Sequence, residues 1–128
     1  YNWYAVNDPR GLAPKGWHIP DSTEWEQLAE YLGGKEVAGN KLKSTEGWEN
    51  GNGNNESGFN GLPGGRRNQY GDRFSYLNNV GYWWSSTEWK ESYHGIDAWY
   101  FFLVDEFDEF KKHQWYKSAG FSVRCIKD

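Results

Sequence analysis

Aromatic rings, carboxylates and amines are interleaved along residues 98–121, AWYFFLVDEFDEFKKHQWYKSAGF. Tyrosine and tryptophan offer a large contact area at a low cost in conformational entropy, and each carries a polar atom at its edge. Charged side chains beside such rings help to orient a bound partner. Neither a buried core nor an ordinary solvated loop accounts for this mixture. The residue types therefore predict recognition of a ligand rather than catalysis.

Four carboxylates lie close together within this segment, at Asp105, Glu106, Asp108 and Glu109. Carboxylate oxygens are the ligands that calcium prefers. Their spacing is not that of a dedicated calcium loop, so a solvated acidic turn is the favoured interpretation and a calcium-dependent, carbohydrate-binding lectin is an alternative. The run NGNGNNES, residues 50–57, also offers oxygen ligands, but bracing of its own turns is the simpler use. No cofactor is predicted.

Other reactive or charged groups favour structural roles. The stretch LPGGRR exposes glycine amides beside two arginines, but the phosphate-binding ending with Lys and Ser or Thr is missing, so a structural turn is predicted. His18, in GWHIP, is interpreted as a hydrogen-bonded structural histidine. Cys125 is the single cysteine and alternates onto an apolar face, where a thiol is usually inert. No nucleophile with a base at motif spacing is found, so the chain is predicted not to be an enzyme.

Length and charge exclude further classes of protein. A chain of 128 residues suits one domain, so residues 1–128 are assigned to a single domain. The net charge is -4 and the 14 Lys and Arg residues are scattered, which argues against nucleic-acid binding. No apolar run is long enough to insert directly into a membrane. The chain begins YNWYAV, so it is interpreted as a domain of a longer protein, with neighbouring domains as partners.

Helices that would support these residues are predicted early in the chain. Asp21 and Glu24 have the spacing of a capping box, and apolar residues follow at helical intervals until Gly33. The segment EVAGNKLKS predicts a second, short helix that carries Val37 and Leu42. Residues 7–20 are predicted to be turns rather than an element. The Gly- and Asn-rich residues 45–68 are predicted to be loop.

Strands are predicted at residues 1–6, in GYWWSSTEW, in AWYFFLV and in GFSVRCIKD. Both faces of AWYFFLV are apolar, so its alternation alone does not say which face is buried. One face carries Trp99, Phe101 and Leu103 and the other carries Tyr100, Phe102 and Val104; the family resemblance described below implies that the first set faces inward and the second outward. Trp25 and Trp84 are interpreted as core residues. In the last strand Phe121, Val123 and Cys125 are predicted to point inward.

Four segments carry a resemblance to a known family: APKGWHIPDSTEWEQL, NNESGFNGLPGGRR, GYWWSSTE and KSAGFSVRCIKD, in that order. Together they resemble the Fibrobacter succinogenes major paralogous domain, found largely in surface and secreted proteins of Bacteroidetes and Fibrobacteres. The resemblance spans essentially the whole chain. It implies an α+β, C-type-lectin-like fold in which N-terminal helices pack on a small antiparallel sheet, long loops fill the rest, and the termini pair. Formylglycine-generating enzymes share this fold, but this chain lacks their pair of cysteines.

The resemblance also implies a function and a site. It implies an extracellular or cell-surface module, such as part of an adhesin or pilus tip, that binds a protein or glycan without catalysis. Some relatives are variable proteins of diversity-generating retroelements, in which the region matching residues 89–119 is diversified. By position, the implied ligand-binding residues are Trp89, Tyr93, His94, Tyr100, Phe102, Val104, Glu106, Phe107, Glu109, Lys111, His113, Gln114, Trp115 and Tyr116. A structural or oligomerisation domain that buries the same patch is the alternative.

Overall fold

The amino-terminal part of the chain forms three helices and one short strand. A computed structural model describes residues 1–128. Helix α1 spans Trp3–Val6, strand β1 Trp17–His18, helix α2 Ser22–Tyr31 and helix α3 Lys35–Leu42. None of these helices has the length and apolar character that crossing a bilayer requires.

The predicted strand over residues 1–6 is wrong. The side chain of Asn2 accepts a hydrogen bond from the backbone N–H of Ala5 and caps the helical turn α1. This turn places Trp3 and Val6, three positions apart, on one buried face. An alternation of rings and small residues over so few positions fits either a strand or a helical turn, and the cap decides between them.

Helices α2 and α3 are confirmed. The carboxylate of Asp21 accepts from the N–H of Glu24 at 2.9 Å, and the carboxylate of Glu24 accepts from the N–H of Asp21 at 3.0 Å. Trp25 on α2 is only 2% exposed, as predicted for a core residue. On α3, Leu42 is fully buried whereas Val37 is exposed.

Five of the six remaining strands form one mixed sheet. The six are β2 Gly64–Arg67, β3 Phe74–Leu77, β4 Val80–Glu88, β5 Asp97–Val104, β6 Phe110–Tyr116 and β7 Ile126–Lys127. The five-stranded sheet has the order β3-β2-β4-β5-β6, while β1 and β7 form a separate antiparallel pair. The sheet is mixed rather than purely antiparallel because β2 runs parallel to β4 through the pair Gly65 and Gly81.

Several of these strands were predicted as loops or turns. The strand β2 falls inside residues 45–68 and inside LPGGRR, so both predictions are wrong there. Its partners are β3 and β4, the two strands that follow it in the sequence. Strand β1 likewise forms within the predicted turns of residues 7–20 by pairing with β7. Such distant partners leave little periodic signal in a strand of two to four residues.

The two ends of the chain pair, as predicted, although not through the predicted first strand. Strand β1 pairs with β7, and Tyr1 and Phe121 exchange two main-chain hydrogen bonds of 2.8 and 3.0 Å. The inward alternation of the last segment is also confirmed, because Val123 and Cys125 pack against the same cluster as Phe121. The strand predicted over GFSVRCIKD is wrong in extent, since only Ile126–Lys127 forms a strand. The fold is therefore α+β with its beginning and end joined.

Apolar clusters cover both faces of the sheet. One cluster joins Trp84, Tyr100 and Phe121 to the N-terminal segment, and the other joins Trp25 to Phe101 and Leu103. The expectation that Tyr100 faces outward is wrong, because the rings of Trp84 and Phe121 pack around it and it is 7% exposed. Phe102 and Val104, on the same face, are half-buried.

Candidate ligand-binding face

One face of the mixed sheet carries a row of aromatic and apolar side chains on β4, β5 and β6. We call this surface the aromatic face; it consists of Tyr82, Tyr100, Phe102, Val104 and Trp115. The alternation of side chains along β4, β5 and β6 brings these five residues to the same side. Strands on both flanks hold β5 in place, so the face is built on a rigid element.

The rings of the aromatic face contact one another. The ring centroid of Tyr82 lies 5.8 Å from that of Tyr100 and 6.1 Å from that of Phe102. The centroids of Tyr100 and Phe102 are 5.5 Å apart. These separations are typical of favourable aromatic pairs. The rings therefore hold each other in fixed orientations.

The guanidinium of Arg66 lies over this face. Its central carbon is 5.0 Å from the ring centroid of Trp115, 5.7 Å from that of Tyr82 and 5.2 Å from that of Tyr76 on β3. No carboxylate oxygen lies within 4.0 Å of it. Its Nε, like the Nε1 of Trp115, is buried without a hydrogen-bond partner. Arg66 is thus a cation held by rings rather than by an anion.

A glycine at position 65 makes this placement of Arg66 possible. Gly65 has φ +64°, and a side chain there would meet the backbone oxygen of Ser75 and the nitrogen of Leu77, the latter at 2.8 Å. Without a Cβ, β2 can lie close to β3 on one side and pair with Gly81 of β4 on the other. This close approach places the side chain of the next residue, Arg66, over the aromatic face.

Two tyrosine hydroxyls on the aromatic face also lack partners. Burial raises the pKa of Tyr82 to about 12 and raises the pKa of Tyr100, while the nearby charge of Arg66 opposes both shifts. Neither hydroxyl forms a hydrogen bond within the protein, and neither is sealed from solvent. Each remains a neutral donor and acceptor at ordinary pH.

The turn between β5 and β6 forms one border of the aromatic face. Phe107 in this turn is 49% exposed, and the ammonium of Lys111 lies 4.8 Å from its ring centroid. The same ammonium lies 3.4 Å from a carboxylate oxygen of Glu109. Glu106 is exposed beside them. An exposed ring with charges of both signs extends the candidate site beyond the sheet.

A buried lysine holds the backbone of this turn through hydrogen bonds. Lys43 is 2% exposed, and its Nζ donates to the backbone oxygens of Asp105 and Phe107, at 3.0 Å each, with two further carbonyls at 3.4 Å. Burial lowers the pKa of Lys43, and two nearby aspartates oppose that shift. The ammonium therefore ties together the backbone of the turn that carries the four carboxylates.

The carboxylate of Asp105 adds a second anchor to the turn. Burial raises the pKa of Asp105, but hydrogen bonds from Asn79 and Asn50 outweigh it, and the pKa lies below its ordinary value. The side-chain amides of Asn79 and Asn50 donate to Asp105 at 3.0 and 2.8 Å. The structure contains no group of three or more His, Cys, Asp or Glu side chains that could hold a metal ion.

The structure divides the predicted ligand-binding residues into two groups. Those on or beside the aromatic face are Tyr100, Phe102, Val104, Glu106, Phe107, Glu109, Lys111, His113 and Trp115. Those at the other end or on the opposite side of the sheet are Trp89, Tyr93, His94, Gln114 and Tyr116. In the second group Trp89 packs edge-on against Trp99, while Tyr93 is 78% exposed on the loop between β4 and β5. The predicted residues therefore do not form one continuous surface.

Three residues of the candidate site were missed by sequence reasoning. Arg66 and Tyr76 lie on the hairpin of β2 and β3, and Tyr82 was predicted only as part of the strand GYWWSSTEW. The useful signal is charge: Arg66, Arg67 and Arg73 are concentrated in a short segment of a chain whose net charge is negative.

His18 has a structural environment, as predicted. Its Nε2 lies 2.8 Å from Glu24 and its Nδ1 lies 2.7 Å from Asp128. Hydrogen bonds to Glu24 and then to Asp128 raise the pKa of His18. Both ring nitrogens face carboxylates, so the geometry favours the imidazolium, which links α2 to the end of the chain.

Comparison with known proteins gives one match. A protein-family model described as the Fibrobacter succinogenes major domain matches residues 1–127. No curated protein and no solved structure matches the chain.

Proposed function

Because the chain belongs to the Fibrobacter succinogenes major domain family, we propose that it is a non-enzymatic recognition module of a bacterial surface, secreted or pilus-tip protein. It binds a protein or glycan through the aromatic face and the turn between β5 and β6. The proposed location is extracellular or at the cell surface.

The observation that supports this proposal is that polar atoms on the aromatic face have no hydrogen-bond partner within the protein. Binding surfaces combine large apolar rings with a few polar groups that fix orientation. Here Tyr82 and Tyr100 supply unpaired hydroxyls, and Arg66 supplies unpaired N–H groups. The Nε of Arg66 and the Nε1 of Trp115 are buried donors without partners, which is costly within the protein alone, while the two hydroxyls remain free to bind a ligand.

We further infer a C-type-lectin-like arrangement of the fold, related to the variable proteins of diversity-generating retroelements. The joined termini and the helices packed beside a small sheet support this inference. In such an arrangement, sequence variation on the outer strands leaves the framework unchanged.

The test combines a binding screen with paired variants. Wild-type protein is screened on arrays of glycans and of bacterial and host surface proteins, and each hit is measured again with Trp115→Ala combined with Phe107→Ala. We expect the double variant to fold and to lose capture, whereas Tyr31→Ala, which removes a ring that is 87% exposed on α2, keeps it. Capture by the double variant at the wild-type level would contradict the proposed site.

Variants of core residues show how large a loss of stability would have to be to explain a loss of capture by unfolding. Trp84 and Trp25 are 0% and 2% exposed, so Trp84→Ala or Trp25→Ala should cost about 3–5 kcal/mol of unfolding free energy. Urea denaturation followed by tryptophan fluorescence measures the cost. If Trp115→Ala with Phe107→Ala destabilises the protein as much as these core changes, its loss of capture is explained by unfolding instead.

The alternative function is a structural or oligomerisation domain. The observation that favours it is the exposed apolar surface of the hairpin, where Tyr70, Phe74 and Leu77 are 81%, 82% and 66% exposed. Exposed apolar patches of this kind mark interfaces. Light scattering after size exclusion separates the two: a monomer supports the recognition module, and a tight oligomer disrupted by Phe74→Ser supports the structural domain.

A further inference from the structure

We infer that the aromatic face selects an acidic segment of a partner protein, whose carboxylate binds the guanidinium of Arg66. This inference rests on the proposed function and specifies the chemistry of the ligand. It concerns a residue outside the region predicted from the sequence.

The local charge around Arg66 is the first argument. The hairpin of β2 and β3, residues 64–77, contains Arg66, Arg67 and Arg73 but only one carboxylate, Asp72. The remainder of a chain of net charge -4 is correspondingly acidic. None of the three arginines lies within 4.0 Å of a carboxylate oxygen. The hairpin is thus a positive region without internal neutralisation, which attracts an acidic partner.

The geometry of Arg66 is the second argument. Three rings hold its guanidinium at 5.0 to 5.7 Å, so its position is fixed before any ligand arrives. Its terminal nitrogens have no hydrogen-bond partner and are not enclosed, while its Nε is enclosed without an acceptor. A planar guanidinium with free N–H groups binds a carboxylate through two parallel hydrogen bonds. Fixing the group in advance lowers the entropy cost of binding.

The small number of polar groups on the aromatic face favours a protein segment over an anionic glycan. Phe102 and Val104 have no polar side-chain atom. On the β4 and β5 part of this face, the polar side-chain atoms are the hydroxyls of Tyr82 and Tyr100. A sugar exposes a hydroxyl on nearly every carbon and requires many polar partners. A polypeptide places an acidic side chain beside apolar ones, which matches a guanidinium above a row of rings.

The test is a selection from phage-displayed random linear peptides on immobilised wild-type protein. We expect the selected peptides to be enriched in Asp and Glu next to aromatic or aliphatic residues. Their affinity for Arg66→Gln should fall at least about tenfold, or about 1.4 kcal/mol, because the charge-assisted hydrogen bonds are lost. Arg66→Lys should show an intermediate loss, because lysine keeps the charge but not the planar fork.

Arg124→Gln is the matched control. The guanidinium of Arg124 also lies over a ring, 4.6 Å from the centroid of Phe59, and also lacks a carboxylate partner, but it is remote from the aromatic face. We expect this variant to bind the selected peptides as the wild type does. Backbone amide spectra of each variant confirm that it is folded, and Arg66→Lys provides the test if Arg66→Gln does not fold.

The outcomes separate this inference from the proposed function. Selected peptides that lack acidic residues, or that bind wild type and Arg66→Gln equally yet are lost with Trp115→Ala, overturn the inference and support the proposed face. Capture of acidic oligosaccharides on a glycan array, with no peptide selected, overturns the assignment to a protein segment. Capture of no peptide, protein or glycan overturns both.

Discussion

Replacing Lys43 by methionine tests whether a buried ammonium holds the turn that borders the aromatic face. In the wild type, Nζ of Lys43 donates to the backbone oxygens of Asp105 and Phe107 at 3.0 Å each. Methionine has a similar length and fills the same space, so little cavity forms. The change therefore removes the donors while leaving the packing nearly intact.

The expected cost follows from the carbonyls that lose their donor. Each buried carbonyl left unsatisfied costs about 1–3 kcal/mol, so the two close ones together cost about 2–6 kcal/mol. Part of this cost is offset when the buried ammonium is removed. Burial disfavours the charged form of Lys43, and for this reason its pKa is lowered. We expect Lys43→Met to lower the unfolding free energy by about 3 kcal/mol, within the range measured for broken buried polar networks.

Urea denaturation, followed by tryptophan fluorescence, measures this change. Lys41→Met, in the last turn of α3, is the matched control, because Lys41 has only a peripheral ion pair with Glu56 at 3.8 Å and should cost less than about 1 kcal/mol. A cost below about 1 kcal/mol for Lys43→Met would refute the reasoning, since it would mean that water or the backbone satisfies the carbonyls as well as the ammonium does.

Three further predictions follow from the fold. Because the pKa of His18 is raised in the folded state, its stabilisation is present below its ordinary value of about 6.5 and is lost as pH rises through the raised value; the difference in melting temperature between wild type and His18→Gln should shrink over that range. The pKa of Tyr82 is raised to about 12, so its contribution is lost from about pH 10 to 12, and unfolding of Tyr82→Phe should depend less on pH there. Gly65→Ala should cost about 2–3 kcal/mol and displace Arg66, because its Cβ would meet backbone atoms. Gly58→Ala, which shares a positive φ but has open space, should cost about 1 kcal/mol.

Elements whose signals are local were predictable from the sequence. The capping box of Asp21 and Glu24 places the start of α2 within a few residues, and the hydrogen bonds that define it are short-range. The long strands β4 and β5 were predictable because each contains consecutive aromatic residues, at 82–84 in β4 and at 99–102 in β5. The closure of the chain followed from the family resemblance rather than from periodicity.

Elements that depend on distant partners were not predictable. Strand β2 contains two glycines and two arginines, and it forms because β3 and β4 supply its hydrogen bonds. Residues 110–116 were predicted as presented surface without a strand, but they pair with β5 in continuous register. The position of Arg66 over Trp115 joins residues far apart in the sequence, so no local pattern indicates it. The burial of Tyr100 was missed because both faces of β5 are apolar.

The pairing of β6 explains why charges and rings alternate so closely in this part of the chain. β5 is flanked on both sides and carries rings on both faces, whereas β6 is the edge of the sheet. On one face of β6, Lys112 lies 4.4 Å from the ring centroid of Trp99 and pairs with Glu26 at 2.7 Å. Lys111 lies on the other face, beside Phe107.

These lysines also influence where a partner can bind. Charged side chains on an edge strand oppose the addition of another strand. The Nδ1 of His113 further blocks the edge by lying 2.9 Å from the backbone nitrogen of Gln114, which faces away from β5. A partner that adds a strand to β6 must therefore displace His113 and desolvate two lysines. Contact across the rings of the aromatic face requires neither step, which is why the face, rather than the edge, is the favourable surface for recognition.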